Sequence, residues 1–138
     1  VLQVLGGLAL LALLLIPPVR AARRRLRLRR AGSDPRRRIL AIYDDFDGRA
    51  AEMGWARGLG ETLQEYRRRL DAATGSSEPR SRLLALAGLA AYAEAQTRPD
   101  DAAEADLAAA TSLRELRRST PITRRILGWY LPEQLTRD

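Results

Sequence analysis

Few residues in this chain could do chemistry. Asp44, Asp45 and Asp47 in "YDDFD" put three carboxylates within four positions, as a magnesium site would. The spacing is DDxD, not the DDxxD of prenyl-diphosphate enzymes, and magnesium needs further oxygens at octahedral positions. A solvated helix face opposite Ile42 and Phe46 explains the same residues. "GWARGLGET" gathers Gly54, Gly58 and Gly60 but follows no strand. It fits neither GxGxxG nor a Gly-Lys-Ser/Thr ending, so it reads as a loop before a helix cap. "RRST" sets Arg117 and Arg118 ahead of Ser119 and Thr120, like a basic-directed kinase site, but capping of a following helix accounts for both hydroxyls. In "YRRRL", Arg67, Arg68 and Arg69 read as a solvated face partnered by Glu61 and Glu65. The alternative is a docking surface for an acidic protein.

The 138 residues contain no cysteine and no histidine. That removes disulfides, thiol nucleophiles, imidazole bases and the usual zinc sites from this segment. The expectation is therefore a chain that is not an enzyme by itself and that carries no cofactor and no metal.

Charge separates the chain into parts. Residues 20–38 hold ten arginines against one acid, Asp34, for +9, while residues 39–138 hold fourteen arginines against sixteen acids, for −2. The overall +7 is thus a local patch. It directly follows "VLQVLGGLALLALLLI", residues 1–16, which has one polar side chain, Gln3, and no charge. As a helix this run spans roughly 24 Å, short of the ~30 Å hydrocarbon core. The chain starts at Val1, so it is read as the end of a longer chain whose membrane helix is cut short; a GTG start codon is the alternative. A signal peptide carries its cations before the apolar core. Here they come after it, as the positive-inside rule expects of a helix whose end meets the cytoplasm.

Four regions are predicted. Residues 1–18 form a transmembrane helix ended by Pro17 and Pro18. Residues 19–33 are a polybasic juxtamembrane segment, with Arg20, Arg23, Arg24, Arg25, Arg27, Arg29 and Arg30 at headgroup level, each gaining on the order of 1 kcal/mol from anionic lipid. Residues 34–118 form a helical bundle, and residues 119–138 a short amphipathic helix and tail. The fold class is all-α, because no stretch alternates as a half-buried strand would.

In the bundle, Asp34 is the N-cap and Pro35 the first helical residue of a helix burying Ile39, Ile42, Tyr43, Phe46, Ala50 and Met53, with Gly54 as its stop. Thr62 and Glu65 form a capping box for a second helix with Leu63, Tyr66 and Leu70 on its apolar face and a Glu65–Arg69 pair at i, i+4. "TGSSEPRS" reads as a flexible connector. A third helix, 80–97, presents Leu83, Leu86, Ala87 and Ala90. A fourth, 102–118, presents Leu107, Ala110, Leu113 and Leu116. In the last stretch Ser119 or Thr120 caps a helix from Pro121, where Ile122, Ile126 and Trp129 share a face. Arg124, Arg125, Trp129 and Tyr130 suit a membrane interface, docking on the bundle being the other reading.

The pattern "ILAIYDDFDGRAAEMGW…GETLQEYRRRL", then an alanine-leucine helix with "AAY", then "LRELRRSTPITRRILGWYLP", resembles the carboxy-terminal cytoplasmic region of bacterial, chiefly actinobacterial, membrane-bound transglutaminase-like proteins. That region is a domain of unknown function preceded by the last membrane helix, and Thr62, Glu65 and Tyr66 match its most specific element. The resemblance implies further membrane helices and an extracytoplasmic papain-like domain with a cysteine, histidine and aspartate triad, none of which lies here. No catalytic residue carries over. The expected role is a non-catalytic interaction or regulatory tail at the inner or plasma membrane, with its bundle in the cytoplasm. Its partners would be anionic lipid, the parent's other transmembrane helices and a possible cytoplasmic protein, with no nucleic acid. The alternatives are a stand-alone single-pass adaptor and a membrane-tethered nucleic-acid-binding module.

Overall fold

In a computed structural model the described residues are 22, 26, 31–93 and 97–123. The chain divides into two compact units, Val1–Gly32 and Ser33–Asp138. In the first, only Ala22 and Leu26, both helical, and the turn at Ala31 and Gly32 are described. The apolar run 1–16 lies outside the described residues, as do Pro17 and Pro18. Among the described residues no helix is long and apolar enough to cross a membrane.

Four helices make up the described part of the second unit, with no strand among the described residues: α1 Pro35–Glu52, α2 Leu63–Thr74, α3 Glu78–Tyr92 and α4 Pro99–Ser119. The all-α expectation is met there. Helices α1, α3 and α4 pack mutually, whereas α2 rests on α3, so the bundle is a three-helix core with a lateral fourth helix.

Local signals explain the ends. Asp34 Oδ1 accepts from the Arg36 amide at 3.0 Å with Pro35 at the first position, as its cap role requires. Helix α1 closes in a Schellman motif: the Trp55 amide donates to Ala50 O and the Gly54 amide to Ala51 O, each at 2.9 Å. Gly54 takes φ 81° there, which glycine alone adopts freely. Ile39, Ile42, Tyr43, Phe46 and Ala50 are buried as the period predicts; Met53 lies beyond the last turn and is half-exposed.

Three expectations are corrected. Helix α3 runs Glu78–Tyr92, not 80–97, because Ser77 Oγ accepts from the Arg80 amide at 3.2 Å and starts the helix early. The connector before it is pinned, not flexible: Ser77 is buried and donates to Glu115 at 2.5 Å. Helix α4 turns alanine to the core. Ala102, Ala105, Ala108, Ala109, Ser112, Leu113 and Leu116 are buried, while Leu107 is 67% exposed and Ala110 faces solvent. Small residues let α4 approach α1 and α3 closely, and that contact outweighs the burial of one leucine.

Arginines lock the ends of this core. Arg36 donates from Nε to Ala90 O at 2.6 Å and from Nη2 to Ala91 O at 3.2 Å, satisfying carbonyls that the last turn of α3 leaves without helical partners. Arg80 is 1% exposed; its Nη1 donates to Asp71 at 3.0 Å, Thr74 at 3.1 Å and Gly75 O at 3.5 Å. Burial lowers its pKa from the ordinary value, and Asp71 opposes that shift.

Candidate binding groove

The loop 53–62 is the least regular part of the second unit's described residues, and it is anchored at Trp55, Ala56, Gly58, Glu61 and Thr62. Trp55 is buried, and its Nε1 donates to Thr120 Oγ1 at 2.8 Å; Thr120 donates in turn to Leu116 O at 2.5 Å. The wholly buried Tyr66 donates its hydroxyl to Trp55 O at 2.6 Å, and burial drives its pKa well above the ordinary phenol range. Arg69 reaches back from α2 to Ala56 O at 2.7 Å and holds Glu61 through Nε at 2.8 Å and Nη2 at 2.9 Å. Its guanidinium also lies 5.3 Å from the Tyr66 ring centroid.

Glu61 accepts from the Gly58 amide at 2.8 Å as well. The Arg69 hydrogen bond holds its carboxyl below the ordinary 4.5, with the Gly58 amide adding to the shift. Thr62 and Glu65 form the expected reciprocal box, Thr62 N to Glu65 Oε2 at 2.8 Å and Glu65 N to Thr62 Oγ1 at 3.2 Å. The expected Glu65–Arg69 pair does not form. Glu65 turns back to the cap, and Arg69 takes Glu61 instead.

Between this loop, the first turns of α2 and the outer face of α3 lies a groove of about 600 Å³. Leu63, Leu84, Gly88 and Tyr92 supply its apolar wall; Arg57 and Arg67 supply its cations. Among the described residues neither arginine makes an ion pair. The Nε of Arg67 is buried without a hydrogen-bond partner there. Arg57 lies beside the buried Tyr43 hydroxyl and opposes part of the rise in pKa that burial imposes on it, and its charge also favours the ionised Glu61. Gly88 sits inside α3 without a positive φ, and a Cβ there would meet only Leu63 Cδ1 at 4.0 Å. Neither packing nor backbone shape requires glycine at this position, and its absence of side chain leaves the groove open.

Of the predicted site residues, Asp34, Thr62 and Glu65 act as caps. Arg20, Arg23, Arg24, Arg25, Arg27, Arg29, Arg30, Arg124, Arg125, Trp129 and Tyr130 lie outside the described residues, as does most of the stretch expected to form a short terminal helix. Thr120, expected at the start of that helix, serves as the buried partner of Trp55. Asp45 pairs with Arg49 at 3.7 Å and Asp44 is exposed; among the described residues no acid cluster is arranged to hold a metal. Sequence reasoning missed Arg57 and Gly88. A glycine inside an otherwise alanine-leucine helix was the available signal.

Comparison with known proteins gives no matching family model, no matching curated protein and no matching solved structure. The transglutaminase-like resemblance stands on the quoted motifs alone.

Proposed function

We propose that this chain is a non-catalytic, membrane-tethered interaction tail: an apolar anchor, a polybasic segment on anionic lipid, and a cytoplasmic helical bundle that engages a protein partner. The observation that carries the reading is the order of charge. A run of sixteen residues without charge is followed by +9 over residues 20–38 and then by −2 over the rest. The separation into Val1–Gly32 and Ser33–Asp138 supports a tether followed by a domain with its own core. On the resemblance, the parent is a multi-pass transglutaminase-like protein whose chemistry lies on the other side of the membrane. Trp129, Tyr130, Arg124 and Arg125 would add interfacial contact.

The test is the full chain in inverted and right-side-out bacterial membrane vesicles. The reading expects resistance to alkaline carbonate extraction and trypsin cleavage of the bundle only in inverted vesicles. Carbonate release, or cleavage from the outer face, refutes it. The parent is tested separately, by whether the genomic frame before Val1 encodes further apolar helices and a domain with cysteine, histidine and aspartate.

A further inference from the structure

We infer that the groove between α2 and α3 is the bundle's docking site for a short protein segment that sets a carboxylate beside an aliphatic or aromatic side chain. The inference deepens the interaction half of the proposed function and does not depend on the membrane half.

Charge complementarity selects the acid. Arg57 and Arg67 border the groove without ion pairs among the described residues. Two guanidinium groups without carboxylate partners beside an open groove favour a ligand that brings a carboxylate. The groove's own carboxylate, Glu61, does not fill that role, because Arg69 and the Gly58 amide already engage it. The apolar half is selected by Leu63, Leu84 and the 87%-exposed Tyr92, with Gly88 leaving room between them. At about 600 Å³ the space is far larger than a lone inorganic anion needs, and it lies in the range of sites that enclose a ligand with an apolar body. The walls are fixed by the capping box, the Tyr66–Trp55 bond and the Arg69 clamp, so little ordering opposes binding.

The experiment selects a random heptapeptide library against the full chain in detergent micelles, then titrates an enriched peptide by fluorescence anisotropy. Expected are peptides carrying Asp or Glu next to Leu, Ile or Phe. Their affinity should fall about tenfold or more in the Arg57→Gln/Arg67→Gln double variant and in Gly88→Leu, which fills the groove. Circular dichroism melts of both variants must match the parent; should Gly88→Leu not fold, the double variant decides, since Arg57 is exposed and Arg67 half-buried. No enrichment, enrichment of peptides without acids, or equal affinity in the double variant overturns the inference. Binding of anionic vesicles that weakens in the double variant, with no peptide enriched, also overturns it and gives the groove to a lipid headgroup. Carbonate resistance with no peptide binding fails this inference alone; peptide binding with carbonate release fails the membrane reading alone.

Discussion

Arg80 and Arg67 carry the same guanidinium on neighbouring helices. Arg80 is 1% exposed, and Asp71, Thr74 and the Gly75 carbonyl gather around its Nη1. Arg67 borders an open groove with no ion pair among the described residues. The first charge is consumed by the fold, tying the end of α2 to the start of α3. The second is left for something else. The Nε of each is buried without a partner, so the contrast lies in the terminal nitrogens and the ion pair. Arg80 has Asp71, which marks architecture, whereas Arg67 borders a groove with no ion pair among the described residues, which marks recognition. Sequence cannot separate the two, because each sits near a helix start with an acid before it and another arginine and a leucine after it, in "EYRRRL" and "EPRSRL".

The largest expected effect tests the architectural side. Asp71→Ala leaves the Arg80 charge buried and poorly compensated, and should lower unfolding free energy toward the low end of ~3–5 kcal/mol. The low end applies because the Asp71 side chain keeps 25% of its surface in solvent. Urea denaturation of the full chain in detergent measures it. If Asp71→Ala and Arg67→Gln prove equally mild, the contrast collapses.

Next come the loop's anchors. Trp55→Phe removes the 2.8 Å bond to Thr120 and should cost about 1 kcal/mol; Thr62→Ala removes the α2 cap and should cost a similar ~1 kcal/mol. Since Thr62 lines the groove and Trp55 fixes the loop that borders it, either variant should also weaken peptide binding, which separates a rigid site from a surface that merely happens to be charged. Gly88→Ala should act with the opposite sign, stabilising α3 by about 0.5–1 kcal/mol in thermal melts.

The pH dependence is smaller. The folded Glu61 carboxyl titrates below its ordinary 4.5, so its contribution is present above that ordinary value and fades as pH falls through the folded one. Glu61→Gln should therefore destabilise the chain near neutrality, and the difference from the parent should shrink as pH falls below the ordinary carboxyl value. A difference that persists in acid would assign the Glu61 effect to packing, not to its charge with Arg69. Smallest of all, the Arg57→Gln/Arg67→Gln variant should change unfolding free energy by less than ~0.5 kcal/mol. That near-absence of effect is what distinguishes a recognition charge from a structural one.

The legible parts of the fold were those governed by neighbours in sequence. Asp34–Pro35, the Thr62–Glu65 box and Gly54 were readable because a cap is made by residues within about five positions of each other. The core face of α1 was readable because large apolar residues mark it. Helix α4 was legible only at its end, where Leu113 and Leu116 are buried as expected; Leu107 and Ala110 face solvent, because the rest of the buried face is built of alanines whose value appears only when another helix lies against them. Arg36 looked like one more member of the basic run, and only the nearby end of α3 turns it into a cap for Ala90 and Ala91.

By itself, then, the sequence determined the helical class, the starts of α1 and α2, the lack of cysteine and histidine chemistry, and the step from an apolar run to +9 to a near-neutral domain. These depend on local backbone preference, composition and net charge, which need no partner in space. Tertiary structure alone decided which arginines are spent and which remain. It set Arg80 inside, Arg69 on Glu61, Arg36 on the end of α3, and Arg57 with Arg67 at a groove that Gly88 leaves open. A charge is satisfied or not by groups within a few ångströms, and here those groups stand up to 55 positions away along the chain.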